Sequence, residues 1–393
     1  MNTIMIVSEF LLEKYFAKYE FSADYMFSCS DCDGYSMKYI LEHATDQERE
    51  MWENLHLGYT ETPGSPFLRE AIAQYYGMAE VDDIVVASPG ELSFMTMNIL
   101  MEGIRNKHAV VVSPAYQSLY QVLKSLGCEL SYWAAEEGED GWKFDIEKLR
   151  ALVRPDTRLI VINFPHNPTG AYLTREELEQ VVGIARECGA YIYSDEMYRD
   201  LLVRCPLGNG DMTAAESGGS AGKVYEPLPP VCDIYERGIS LWGMAKSFGL
   251  AGARIGWIAS QDKWLTEQLL TYKPYLSMCS SAPSEVLSAI VLNHPEAFLS
   301  PNIEKIQRNV ALFRESIAAG KLPWVEKFIP PVAGSVAFVK IKCEGTSMEW
   351  SEVLVQKHSI LTVPAEMFEY PGTYLRIGFG RQNFPEVLKM MEQ

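Results

Sequence analysis

The stretch Ser240-Leu-Trp-Gly-Met-Ala-Lys246-Ser-Phe-Gly-Leu-Ala-Gly-Ala-Arg254-Ile-Gly-Trp257 decides the reading of the whole chain. Gly238–Leu241 and Ile255–Ala259 read as β-strands, so Lys246 falls just past the C-terminal end of a strand, where open α/β sheets bind ligands. Its neighbours Trp242, Met244 and Phe248 shield the amine from water, and a desolvated amine is a nucleophile poised to form an imine. Arg254, beside glycines that let a backbone approach a bound group, supplies a planar fork suited to phosphate. A solvated surface lysine is the bland alternative, and the apolar neighbours and paired glycines argue against it.

Working outward, five more β-rich runs alternate with helical ones: Asp83–Ala87, Ala109–Ser113, Leu130–Ala134, Leu159–Phe164 and Tyr191–Ser194. This is the pattern of an α/β fold with crossover helices, and the seven runs predict a mostly parallel seven-stranded sheet covered by helices. The unbroken apolar Leu159-Ile-Val-Ile162 predicts a central strand covered on both faces. Helices are predicted over Leu92–Ile104 and Arg175–Cys188, the latter started by a Thr174/Glu177 capping box. Ile303–Ala319 (helix), Val336–Ile341 (strand), Met348–His358 (helix) and Tyr374–Phe379 (strand) predict a smaller α+β unit. The expected organisation is an N-terminal arm over the active site (1–45), a large domain (46–280) and a small C-terminal domain (281–393). Residues 205–230, rich in Gly and Pro, read as a surface loop, with a gating lid as the alternative.

Composition narrows the function classes. The 393 residues suit about two domains, and 48% hydrophobic with 22% charged residues is an ordinary globular balance. The net charge of −18 opposes nucleic acid and anionic membranes, so any bound anion must be held by a local donor cluster. No run approaches the roughly 18 apolar residues of a membrane span, and Met1–Phe16 lacks a basic start and a cleavage site, so a cytosolic (cytoplasmic) protein is expected. The eight cysteines have no disulfide framework spacing. Cys29 and Cys32 form a C-x-x-C without the second pair a zinc site needs, and no metal is expected.

Three further motifs sit at predicted strand ends. Asn167-Pro-Thr-Gly170 follows the apolar strand and, alone, is only a turn. Asp195-Glu-Met-Tyr198 places a carboxylate and a phenol where both can face one ligand. Tyr374-Leu-Arg376-Ile-Gly-Phe-Gly380 sets an arginine inside an apolar strand, which calls for an anionic partner, either a substrate carboxylate or a structural acid.

Taken in order, Asn167, Asp195, Tyr198, Lys246, Arg254 and Arg376 resemble the signature of the fold-type I pyridoxal-phosphate enzymes, the class I/II aminotransferases. The resemblance extends to Gly90, to Ser113-Pro-Ala-Tyr116 and to Tyr59-Thr-Glu-Thr-Pro-Gly-Ser-Pro-Phe-Leu-Arg-Glu-Ala-Ile72. It implies an aminotransferase-like fold with pyridoxal 5'-phosphate held by Lys246 as a Schiff base, and Lys246 then shuttling the Cα proton. It further implies that Asp195 pairs with the ring nitrogen, Tyr198 and Asn167 bond the ring oxygen, and Tyr116 stacks on the ring. Arg254 and the backbone at Gly90, Glu91 and Leu92 would take the phosphate. Tyr59 would reach the phosphate of a neighbouring subunit, implying a homodimer with composite sites. Arg376, with Asn167 beside it, would clamp the α-carboxylate of a small amino-acid substrate. Where many relatives carry a hydroxyl three residues before the lysine this chain has Gly243, and Ala245 replaces another, leaving Ser240 or Ser247 as the substitute.

The resemblance implies amino-group transfer first. The run Tyr116 to Trp133, with Ser240–Lys246, is also similar to the subgroup of capreomycidine synthase and the PLP-dependent arginine oxidases and cyclases. That implies the alternative of a cyclase, dehydratase or oxidase acting on arginine or hydroxyarginine. In this alternative Asp31 and Asp33 of Ser28-Cys-Ser-Asp31-Cys-Asp33-Gly34 would receive a guanidinium, against the plain reading of solvated loop acids.

Overall fold

The computed structural model of the chain describes residues 7–138, 141–203 and 225–392. Seven strands make one sheet: β1 (Ile84–Ala87), β2 (His108–Ser113), β3 (Glu129–Ala134), β4 (Thr157–Asn163), β5 (Tyr191–Asp195), β6 (Gly238–Gly243) and β7 (Gly256–Ala259). Their order is β1-β7-β6-β5-β4-β2-β3. β7 runs antiparallel to β1 and β6, and the other neighbours are parallel. β2 reaches β3, and β4 reaches β5, through the helices Ser118–Ser125 and Arg175–Cys188, the crossovers that parallel pairing requires. One consequence fixes the site. The C-terminal ends of β1, β2, β4, β5 and β6 share an edge with the start of β7, so Asn163, Asp195 and Gly243 come together there.

Leu159–Ile162 are at most 1% exposed, as a doubly covered strand must be. The middle position nevertheless belongs to β5, and β4 stands one place away. The Thr174/Glu177 box forms, and Gly189 ends that helix at φ 72°. The helix expected over Leu92–Ile104 instead spans Pro89–Met101, because Pro89 has the fixed φ that suits a first helical turn. Gly90 is therefore inside the first turn.

A second, antiparallel sheet is built from β8 (Val325–Lys327), β9 (Val336–Ile341), β10 (Val363–Pro364) and β11 (Tyr374–Gly378), in the order β8-β9-β11-β10. The long helix beside it runs Glu296–Ala318, seven residues earlier than expected at its start and with Pro301 inside it. The helix Ala282–Asn293 packs on Pro66–Ala73, and its Val286 and Ile290 share a core with Val86, Trp242 and Trp257. By its contacts it belongs with the large sheet.

The N-terminal residues connect the two sheets. After the helix Leu11–Tyr19, Tyr25–Met26 pairs in parallel with Ile360–Leu361. The chain then lies against the end of β11, with Gly378 N donating to Phe27 O (3.0 Å) and Asp33 N to Gly380 O (3.3 Å). Glycine is required at both positions, since a Cβ on Gly378 would overlap Cys29 O and one on Gly380 would come within 2.6 Å of Asp31 O. Residues 205–224 of the Gly- and Pro-rich segment lie outside the described residues. Among the described residues no helix is long and apolar enough to cross a membrane, and no cluster of His, Cys, Asp and Glu is arranged to hold a metal.

Candidate active site

A cleft of about 440 Å³ opens at the shared strand edge. Asp195, Asn167 and Tyr198 line it from the ends of β4 and β5, and Lys246 and Arg254 from the loop joining β6 to β7. Gly90, Tyr116, Arg376 and Asp31 also line it. The Lys246 amine donates to Ser30 Oγ at 2.8 Å.

Asp195 ends β5 with its carboxylate buried, accepting from Met197 N at 3.1 Å. Burial, opposed by that bond, raises its pKa from 3.8 to about 7, and Glu196 adds to the rise while Lys246 opposes it. Asn163 shapes the turn beneath: its Nδ2 donates to Asp195 O (2.9 Å) and its Oδ1 accepts from Asn167 N (2.9 Å). Arg376 is 1% exposed. It donates to Asn167 Oδ1 at 3.3 Å and Ser28 O at 3.1 Å, both neutral acceptors, and burial pushes its pKa down. Arg254 has φ 56°, a left-handed conformation costing a residue with a side chain about 1–2 kcal/mol. Its guanidinium lies exposed at the cleft wall, with Nη1 donating to Ala251 O at 3.2 Å.

Pyridoxal phosphate matches this donor set. Among the described residues no cation bonds the buried Asp195 directly, and a protonated ring nitrogen would be one. The Tyr198 hydroxyl and Arg376 Nε are both buried without a hydrogen-bond partner among the described residues, a cost of about 1–3 kcal/mol each that a ring oxygen and a carboxylate would remove. A Cβ on Gly90 would meet nothing within 4 Å, so the first turn of its helix faces open space.

Several expectations are corrected. Ser240 is fully buried on the other face of β6, giving its hydroxyl proton to Glu196 (2.8 Å) and accepting from Cys232 N (3.1 Å). Ser247 is likewise committed, to Met197 O and Arg199 O, so neither hydroxyl replaces the one missing at Gly243. The absence at Gly243 is steric, since a Cβ there would stand 2.8 Å from Gly256 Cα. Leu92 is buried in the core and its N–H bonds Ser88 O, while the Glu91 carboxylate accepts from Ser277 Oγ. Of that turn, Pro89, Gly90 and Ser93 reach the cleft. Tyr59 is 87% exposed and lines no part of its own chain's cleft, which leaves standing the expectation that it reaches a neighbouring subunit. Asp31 does meet a guanidinium, but it is the chain's own Arg381, at 2.9 and 3.0 Å. Asp33 is bound by Lys305 (2.8 Å) and Gln382 N (2.8 Å).

Among the lining residues that escaped the sequence reading as site residues are Asn163, Ser30, and Glu13 and Glu20 of the N-terminal helix and its end. Glu13 accepts from the Tyr116 hydroxyl at 2.9 Å. Burial, then the nearby Glu13 and Asp31, raise the pKa of Glu20. Asn163 carried a signal, being the last residue of an apolar strand.

Residues 26–387 match the model of the family described as aminotransferase class I and II. Capreomycidine synthase of Streptomyces vinaceus is 28% identical over 297 residues, covering 75% of this chain and 70% of that protein. Aromatic-amino-acid aminotransferase 2 of Thermococcus litoralis is 24% identical over 90% of this chain and 87% of its own. Among solved structures, a PLP-dependent aminotransferase from Streptococcus suis superposes with TM-score 0.85 at 29% identity, covering 98% of this chain and 97% of that one. The PLP-dependent cyclase OrfR shares the fold at TM-score 0.83 and 22% identity, over 98% and 97%.

Proposed function

The chain belongs to the aminotransferase class I and II family, whose cofactor is pyridoxal phosphate, and on that premise we propose that it transfers the amino group of an α-amino acid. The observation that carries the reading is the meeting of Lys246, Asp195 and Arg376 in one cleft from three distant parts of the chain. Bound there, pyridoxal phosphate supplies an electron sink for the carbanion left when the Cα proton departs. Each side chain then has a task. Asp195 holds the proton on the ring nitrogen, which the sink requires. Lys246 anchors the cofactor and moves the proton at Cα. Arg376, positioned by Asn167 and Ser28, clamps the substrate carboxylate, and the buried Tyr198 hydroxyl bonds the ring oxygen. Arg254 and the N–H groups near Gly90 take the phosphate.

A second copy of the chain is part of the proposal. Leu57, Tyr59, Tyr275, Leu276 and Met278 are exposed, on two segments tied together by the Thr60 Oγ1 to Ser280 O bond at 3.2 Å. Exposed apolar side chains gathered on two such joined segments support a protein interface.

A cyclase, dehydratase or oxidase of arginine or hydroxyarginine is the second reading, favoured by the similarity to capreomycidine synthase. The acids supporting it are Glu13 and Glu20, because Asp31 and Asp33 are already paired. Incubation with an amino-acid panel including arginine and γ-hydroxyarginine, with and without 2-oxoglutarate, followed by product mass, separates the two. Turnover only with the oxo acid means transfer. Loss of water, or oxidation, without it overturns transfer.

A further inference from the structure

The contact between Ser30 and Lys246 joins parts of the chain that sequence order keeps 216 residues apart. Ser30 sits in a short strap, residues 28–30, two of whose carbonyls are held by side chains. Ser28 O accepts from Arg376 Nη2 at 3.1 Å, and Ser30 O accepts from Ser335 Oγ at 2.7 Å. Gly378 closes on Cys29 from the side. Two residues of backbone therefore connect the arginine at the carboxylate position with the amine at the reacting position. On the proposed roles of Arg376 and Lys246, the Cα of a bound amino acid would lie between those two groups.

We propose that Ser30 is a positioning residue, whose hydroxyl accepts from the Lys246 amine and holds it toward the substrate Cα for proton transfer. The inference rests on Lys246 being the base, as proposed above. A lysine side chain has four rotatable bonds, and an amine left free among their rotamers spends little time within the roughly 3 Å that proton transfer demands. Ser30 removes that freedom without adding a charge that would compete with Asp195. Its own backbone is fixed by Ser335, so the acceptor does not drift with the lysine. No motif marks Ser30, since its role comes from where the strap crosses the cleft.

The test uses Ser30→Ala, with Ser30→Thr as the variant that keeps the hydroxyl. In cofactor-free protein, acetic anhydride labelling of Lys246 at pH 8 is quantified by peptide mass spectrometry against Lys321 as an internal standard. The bond to Ser30 Oγ ties the amine down and limits its reach to the reagent, so Ser30→Ala is expected to raise Lys246 labelling at least threefold while Ser30→Thr stays within twofold of wild type. In the holoprotein, exchange of the α-proton in D₂O is followed by NMR for the amino acid of the panel that exchanges fastest in wild type. Ser30→Ala is expected to slow it about tenfold, with rescue by threonine. Unchanged labelling in Ser30→Ala overturns the proposal whatever happens to turnover, and so does raised labelling with unchanged exchange. Failure of Lys246 to carry cofactor in wild type is a separate result, seen by borohydride trapping, and does not mimic either outcome.

Discussion

Replacing Asp195 with asparagine should stabilise the cofactor-free protein while disabling the holoprotein. Burial raises the Asp195 pKa from 3.8 to about 7 in the folded chain, so the folded state binds a proton more tightly than the unfolded one. The Asp195 contribution to stability is then most favourable below about pH 4 and is lost as pH rises through the window from about 4 to about 7, above which the full penalty is present. Three units at about 1.36 kcal/mol each give a ceiling of about 4 kcal/mol. Asparagine keeps the shape and never ionises. The stability gap between Asp195→Asn and wild type should therefore be about 2–3 kcal/mol wider at pH 8 than at pH 5. Urea unfolding of both cofactor-free proteins at pH 5, 6, 7 and 8 measures it. A gap that stays constant across this range would refute the reasoning. Adding pyridoxal phosphate should reverse the ranking, because wild type gains the ligand's binding energy and the variant lacks its ion pair.

Arg376→Met keeps the buried packing but removes the carboxylate clamp, worth about 3 kcal/mol, so KM for the amino acid should rise roughly a hundredfold; steady-state kinetics show it. Tyr198→Phe removes a buried hydroxyl that has no partner among the described residues, so urea unfolding should show the cofactor-free chain stabilised by about 1–3 kcal/mol. Spectrophotometric titration should nonetheless show weaker cofactor binding. Ser240→Ala deprives the buried Glu196 of a donor and should cost about 1–3 kcal/mol of stability. Cofactor affinity should stay within twofold, because the hydroxyl faces away from the cleft.

Most of the site was legible because its residues lie at strand ends, where local pattern and ligand geometry coincide. Lys246, Asp195 and Asn167 follow runs apolar enough to read as strands, and Arg376 is conspicuous inside one. Side-chain alternation misled the reading of Ser240, since Leu241 next to it faces the cleft and Ser240 faces the opposite side. The acids misread for a different reason. Asp31 and Asp33 do look like a guanidinium site, and Arg381 and Lys305, roughly 270 to 350 residues away, fill it. No local signal reports such a partner. Ser30, Glu13 and Glu20 were hidden likewise, because only the strap and helix laid across the cleft by tertiary packing make them neighbours of Lys246. The helix at Pro89 was placed late because the apolar periodicity begins at Leu92, whereas Pro89 starts the helix through its backbone.

The central claim is that Lys246 carries the cofactor. Reduction of the purified holoprotein with borohydride, digestion and peptide mass spectrometry test it directly. The account predicts one pyridoxyl-modified peptide, containing Lys246, and none in Lys246→Ala. A modified peptide bearing a different lysine, or an unmodified Lys246 peptide in a reduced holoprotein, would contradict it.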